Sequence, residues 1–182
     1  VLRANNIELA TNSLNLIDLK YISDSVLIPS DKRVRAQSIL FCGSSGSKSH
    51  LGKVAFVDAE SGYAFGGFMG LIVPGDGINP RFLFHQMTSP AYREFINALT
   101  DGVNINNIKI SDLKQFPIPL PPLAEQQRIV RILDEAFEGI ATAKANAQRN
   151  LANAKALFES YRHSVFTTGG PSWVSTPLDA VC

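Results

Sequence analysis

Cysteine is scarce in this chain, with two among 182 residues, Cys42 and Cys182, 140 positions apart. That spacing offers neither a disulfide framework nor a zinc pattern. A long hydrophobic run is also missing. The longest apolar stretch, residues 64–73, is interrupted by glycines and falls well short of the ~20 residues needed to cross a bilayer, so no membrane span is expected. Nothing near Val1 resembles a signal peptide, and a reducing cytoplasm is the expected setting. Excess charge of one sign is absent too, the formal net charge being +1. A surface coated in lysine and arginine, the usual mark of a non-specific nucleic-acid binder, is thereby excluded. DNA binding itself is not, because basic side chains can gather on one face while acids occupy another. What remains is a chain with 45% apolar and 18% charged residues, enough for one ordinary core. One globular domain with an appendage is expected.

The first hundred residues read as strand-rich. Ser38-Ile39-Leu40-Phe41-Cys42 is a short β-favouring run that stops at Gly43, and its unbroken apolar character predicts a buried strand. Apolar runs at 53–58 and 63–73 follow, the second ending at Pro74-Gly75. Asn79-Pro80 and Ser89-Pro90 each set a capping side chain before a proline at the first helical position, which predicts short helices over 80–87 and 90–99. Thr100-Asp101-Gly102 ends the second of these, and an apolar stretch at 108–110 follows an asparagine-rich segment. Prolines at 117, 119, 121 and 122 then hold the backbone extended, as each proline fixes its own φ and biases its predecessor away from helix.

Between Leu123 and Thr167 there is no proline and one glycine, Gly139. Val130, Leu133, Phe137, Ile140, Lys144, Ala147, Leu151, Ala154, Phe158, Tyr161 and Val165 recur at alternating spacings of three and four, one stripe of a coiled-coil-like helix. About 45 residues at ~1.5 Å each make a rod on the order of 65 Å long, more than a small domain needs to cover its core. Such a helix calls for a second helix beside it. The competing reading is a single exposed helix held by alanine propensity, since residues 141–156 are crowded with alanine. Thr168-Gly169-Gly170-Pro171 ends the rod.

Three segments carry candidate DNA contacts. In the loop Ser44, Ser45, Gly46, Ser47, Lys48, Ser49, His50, Leu51, Gly52, Lys53, small residues expose backbone N–H groups while two lysines add positive charge, a combination suited to phosphate oxygens. The competing reading is an ordinary hairpin turn. A nucleotide P-loop is excluded, because Gly52-Lys53 is followed by Val54 and position 47 is not glycine. Lys32, Arg33 and Arg35 form a second basic cluster, able to track phosphates or project arginine into the major groove, or to be a solvated face. Asn104, Asn106 and Asn107 have the groups to hydrogen-bond adenine edges, but asparagines also satisfy turns.

The segment PLPPLAEQQRIV, residues 119–130, resembles a signature of the specificity subunits of type I restriction-modification enzymes. In that family a Pro-Leu-Pro-Pro-Leu-x-Glu-Gln-x-x-Ile run joins each target-recognition domain to a conserved helix. Pro119, Leu120, Pro121, Pro122, Leu123, Glu125, Gln126, Gln127 and Ile129 match it as they stand. LRANNIEL at 2–9, the blocks within 38–58 and DGVNINNIKISDLKQFPIP at 101–119 resemble further parts of that domain in the same order. Trp173 to Cys182 resembles the opening of a second recognition domain. A complete subunit carries two recognition domains and two helices, whereas this sequence starts in mid-pattern without methionine and holds one of each plus a stub, so a fragment is expected.

The resemblance implies an α+β chain. A strand-rich, N-terminally truncated recognition domain at 1–118 is joined by a proline hinge at 119–122 to a long coiled-coil-like helix at 123–167, with a linker and the start of a second domain at 168–182. It implies a non-catalytic reader of half of a bipartite site in double-stranded DNA, which docks modification subunits and, in the full complex, restriction subunits. S-adenosylmethionine, ATP and Mg²⁺ would belong to those partners, leaving no cofactor for this chain. With one helix present, the isolated chain is expected to self-associate through the stripe.

Catalytic readings fail on the residues. An adenine methyltransferase needs an F-x-G-x-G motif and an [N/D]-P-P-[Y/F] motif, and Phe65-Gly66-Gly67-Phe68-Met69 and Asn79-Pro80-Arg81-Phe82 each miss at one position. No acidic constellation of the kind a Mg²⁺-dependent nuclease uses stands out, and His50, His85 and His163 lack partners at ligand spacing. A different class, a helical adapter whose globular part binds protein, is separated from the DNA reader by salt-dependent DNA binding.

Overall fold

The computed structural model describes residues 1–100 and 107–182; Asn104 and Asn106 lie outside the described residues. In chain order come β1 (Ile7–Glu8), β2 (Ser13–Leu14), β3 (Ser38–Cys42), β4 (Val54–Val57), β5 (Met69–Ile72), α1 (Pro80–Met87), α2 (Pro90–Thr100), α3 (Ile110–Leu113) and α4 (Leu123–Thr168). The fold is α+β, with a two-stranded sheet β1-β2 and a three-stranded antiparallel sheet ordered β4-β3-β5.

All five residues of β3 are buried, as its unbroken apolar run predicts. The strand is central, and both faces of its sheet are covered. Ile39 and Phe41 point into one cluster with Phe56 of β4, Leu83 and Met87 of α1, and Tyr92 and Ile96 of α2. Leu40 and Cys42 point the other way, into a cluster with Leu2, Ile7, Val34, Val57 and Phe65. The register sets Ile39 opposite Phe56 and Leu40 opposite Ala55. A slip of one residue would exchange the two sets of side chains, so burial on both faces specifies the pairing. Gly70 of β5 lies opposite Phe41, and a Cβ there would sit 2.0 Å from a Phe41 ring carbon. Only glycine leaves room for that ring.

The run at 63–73 is less regular than a single strand. Ala64 and Phe65 make isolated bridges to Arg33 and Leu2, and the ladder begins only at Met69, after Gly66-Gly67. Both predicted helices form. Asn79 Oδ1 accepts from the amides of Arg81 and Phe82 at 2.9 and 3.0 Å, and Ser89 Oγ accepts from the Tyr92 amide at 3.2 Å. The stretch at 108–110 instead places Ile108 in the core and opens α3, whose Leu113 is buried beside it.

The chain forms two compact units, Val1–Ile132 and Leu133–Cys182. The first extends past the prolines because the opening turns of α4 are held by Gln126. Its side chain is 0% exposed; Oε1 accepts from the Asn79 amide at 2.8 Å, while Nε2 donates to the Gly77 carbonyl at 3.0 Å and the Pro121 carbonyl at 2.8 Å. Both ends of one amide are thus satisfied by backbone from two segments. Val130, one turn on, is buried too, and the half-buried Glu125 pairs with Arg128, whose guanidinium holds the Glu125 carboxyl below its ordinary value. In the second unit α4 continues to Thr168, and the Trp173 ring lies 6.0 Å from that of Phe166.

Replacing Gln126 by leucine keeps the volume but strips three backbone groups of their partner. A buried polar group left without its partner costs about 1–3 kcal/mol. The urea midpoint of Gln126→Leu should fall accordingly with an unchanged slope, and an unmoved midpoint would refute the anchor.

Candidate nucleic-acid interface

The loop leaving β3 is held from three sides by α2 and its end. Tyr92 Oη donates to the Gly52 carbonyl at 2.8 Å, Arg93 Nη1 donates to the Leu51 carbonyl at 2.8 Å, and Lys48 Nζ donates to the Thr100 carbonyl at 3.3 Å. Gly52 has φ +70°, and a Cβ on it would lie 2.8 Å from Ile96 side-chain carbons, so the turn needs glycine for both conformation and space. Ser47 leads into a single 3-10 turn, Lys48–His50; its hydroxyl lies 2.9 Å from that of Ser49, and the Ser45 hydroxyl accepts from the Ser47 amide at 3.2 Å. Lys48 and Ser49 are exposed, while Ser45 and His50 are half-buried.

Lys53 corrects the expectation for this loop. It is 3% exposed, and its Nζ donates to the Ile7 carbonyl at 2.7 Å, tying β4 to β1 inside the domain. A side chain so placed is not offered to a phosphate. Burial holds its ammonium below the ordinary lysine value, with Cys42 and Glu8 opposing that effect. The same burial pushes the Cys42 thiol upward, and its Sγ donates to the Ser44 carbonyl at 3.2 Å.

The residues of the basic cluster differ in exposure. Arg35 precedes the start of β3, its carbonyl accepting from Ser38 Oγ, whereas Ser44 follows the strand's other end. Arg33 and Arg35 are exposed. Lys32 is half-buried, with Nζ 5.1 Å from the Phe65 ring centroid. It lines one depression together with Gly43, Ser44, Gly67, Phe68 and Asn107. Segments far apart in sequence meet there through backbone pairing: the Gly43 and Ser44 amides both donate to the Phe68 carbonyl at 2.9 and 3.1 Å, Ser44 bridges to Asn107, and the Ile108 amide donates to the Gly43 carbonyl at 2.7 Å.

The structure brings out two residues that sequence reasoning left unassigned. Phe68, considered only as part of a failed glycine motif, is 72% exposed at the rim of this depression. Gln126 matched the proline-run signature, yet only its three backbone bonds reveal what the amide does. Among the described residues no three His, Cys, Asp or Glu side chains converge, and no helix is long and apolar enough to cross a membrane.

The strand-rich unit and the long helix that follows it both fall within the similarity to known proteins. The family model described as the type I restriction modification DNA specificity domain matches residues 5–150, and the chain belongs to that family. It is 31% identical over 178 residues to the StySPI specificity subunit of Salmonella potsdam, covering 98% of this chain and 37% of that protein. It is 34% identical over 149 residues to the EcoKI specificity subunit of Escherichia coli K12, covering 82% and 32%. The chain therefore spans about a third of the length of these curated relatives. Among solved structures it shares its fold with the HsdS subunit from Thermoanaerobacter tengcongensis, with a TM-score of 0.68 at 19% identity over 97% of this chain and 44% of that one. A chain from a structure of type I R-M complex assembly and conformational transition gives a TM-score of 0.71 at 22% identity over the same shares.

The pin on the loop has a pH signature. Burial raises the Tyr92 phenol well above its ordinary value of 10.0, so the folded state holds that proton more tightly than the unfolded chain does. The stability Tyr92 contributes is therefore complete below pH 10 and lost as pH rises beyond it. Tyr92→Phe should cost about 1 kcal/mol at neutral pH, and the gap to the native chain should close above pH 10 in urea unfolding. A gap independent of pH would contradict this assignment.

Proposed function

We propose that this chain reads one half of a bipartite site in double-stranded DNA as part of a type I restriction-modification specificity subunit. The observation that carries the reading is the specificity-domain match over residues 5–150, which spans the strand-rich unit and runs into the helix. The division of labour follows the architecture. Residues 1–118 make the DNA contacts, mainly to phosphates with a few to base edges, and α4 sets the distance to the other half-site. The helix region also docks modification subunits and, in the full cytoplasmic complex, restriction subunits. S-adenosylmethionine, ATP and Mg²⁺ belong to those partners, and this chain does no chemistry itself.

DNA binding by the complex with modification subunits should weaken as salt rises. Arg33→Gln, Arg35→Gln and Lys48→Gln should each lower the slope of log affinity against log salt by about 1, whereas Lys53→Met should leave the slope alone. Binding that ignores salt, or a slope unmoved by the three surface substitutions, would overturn the phosphate assignment.

The helix supports a second part of the reading. Val130 is buried and Leu133 half-buried, while Phe137, Ile140, Ala147, Leu151, Ala154, Phe158, Tyr161 and Val165 are exposed along one stripe. Exposing so much contiguous apolar surface in water is unfavourable, and α4 is the only long helix among the described residues. The solved subunits are more than twice the length this chain covers, which leaves room for a second such unit. The stripe therefore pairs with a second helix of the same kind, antiparallel to it, and the 182-residue chain alone pairs with a second copy of itself. Light scattering should give a dimer mass, shifting to the monomer in Leu151→Lys/Phe158→Lys; a strict monomer at high concentration would sink the pairing.

A further inference from the structure

We propose that Phe68 is a specificity-determining residue, making the apolar base contact within the DNA-reading surface; this rests on the function proposed above. Phe68 is 72% exposed although it immediately precedes a buried strand residue, Met69, at 5%. It does not flap on a loose loop. Its carbonyl receives two amides, from Gly43 and Ser44, so the backbone carrying the ring is fastened to the end of the central strand. On one side Gly67 is open, with no heavy atom within 4 Å of where its Cβ would be, which leaves room for a bulky partner to approach beside the ring.

The surroundings say which partner fits. The depression beneath the ring is lined by Lys32, whose ammonium suits a phosphate, and by the exposed Asn107, whose amide pairs with base edges. An exposed aromatic ring on an anchored backbone, sharing one depression with a cation and an amide, suits a groove of duplex DNA, where aromatic side chains meet thymine methyls and amides meet adenine.

The test uses the intact subunit with its modification subunits. Methylome sequencing of cells carrying that complex names the site, and binding is then measured to a duplex with this site and to a scrambled duplex. Phe68→Ala should lower affinity for the site by roughly tenfold while leaving scrambled DNA nearly unaffected, because a base contact contributes only at the right sequence. Phe68→Leu, which keeps apolar bulk, should recover most of the loss, and both variants should keep the native unfolding midpoint. Equal site-to-scrambled ratios for native protein and Phe68→Ala would overturn the proposal, as would an equal loss on both duplexes. Absence of any sequence-preferring binding by the native complex would instead defeat the DNA-reading function itself.

Discussion

Strand β3 is buried on both faces, and nearly everything else in the first unit follows from how those faces are covered. Ile39 and Phe41 need helices α1 and α2 above them, while Leu40 and Cys42 need the N-terminal segment and Phe65 below. Each face draws a different part of the chain to the same five residues. The ends of β3 then become fixed points on the surface, Arg35 before one and Ser44 after the other. The exposed side chains near those ends inherit their positions from a strand that is itself buried.

The loop after β3 shows how such positioning is achieved. A chain of serines and glycines has high conformational entropy, and an interface built on it would lose affinity by ordering it on contact. Here the ordering is done in advance by hydrogen bonds from Tyr92, Arg93 and Lys48 to three backbone carbonyls. The unusual element is Lys53, a cation kept inside to tie two strands together through the Ile7 carbonyl. One lysine of the loop thus works inward and the other, Lys48, sits at the surface.

At the start of α4, a single buried amide performs the equivalent task. Gln126 reaches Gly77, Asn79 and Pro121 at once, so the start of the helix, its proline approach and the cap of α1 share one hydrogen-bonding center. The prolines stiffen the approach but supply no donors, and the amide provides what they lack. Downstream the helix turns from anchored to exposed within about two turns, from Val130 to Phe137.

Local chemistry alone was enough for several elements. The apolar run of β3, the Asn79-Pro80 and Ser89-Pro90 starts of α1 and α2, and the proline-free stretch of α4 were legible because each depends on neighbours in sequence. The proline-run signature carried the family for the same reason. What sequence could not disclose depends on residues distant in the chain. Lys53 and Lys48 look alike in one loop, and only the packing of β1 against β4 separates a buried tie from a surface charge. Lys32 and Arg35 look like one cluster, but the fold half-buries Lys32 over the Phe65 ring and leaves Arg35 exposed. Phe68 became visible as an exposed ring only when Gly43, Ser44 and Asn107 were brought beside it. Periodicity and capping act over a few residues, and sequence reports them; burial and convergence act across tens of residues, and only the folded chain decides them.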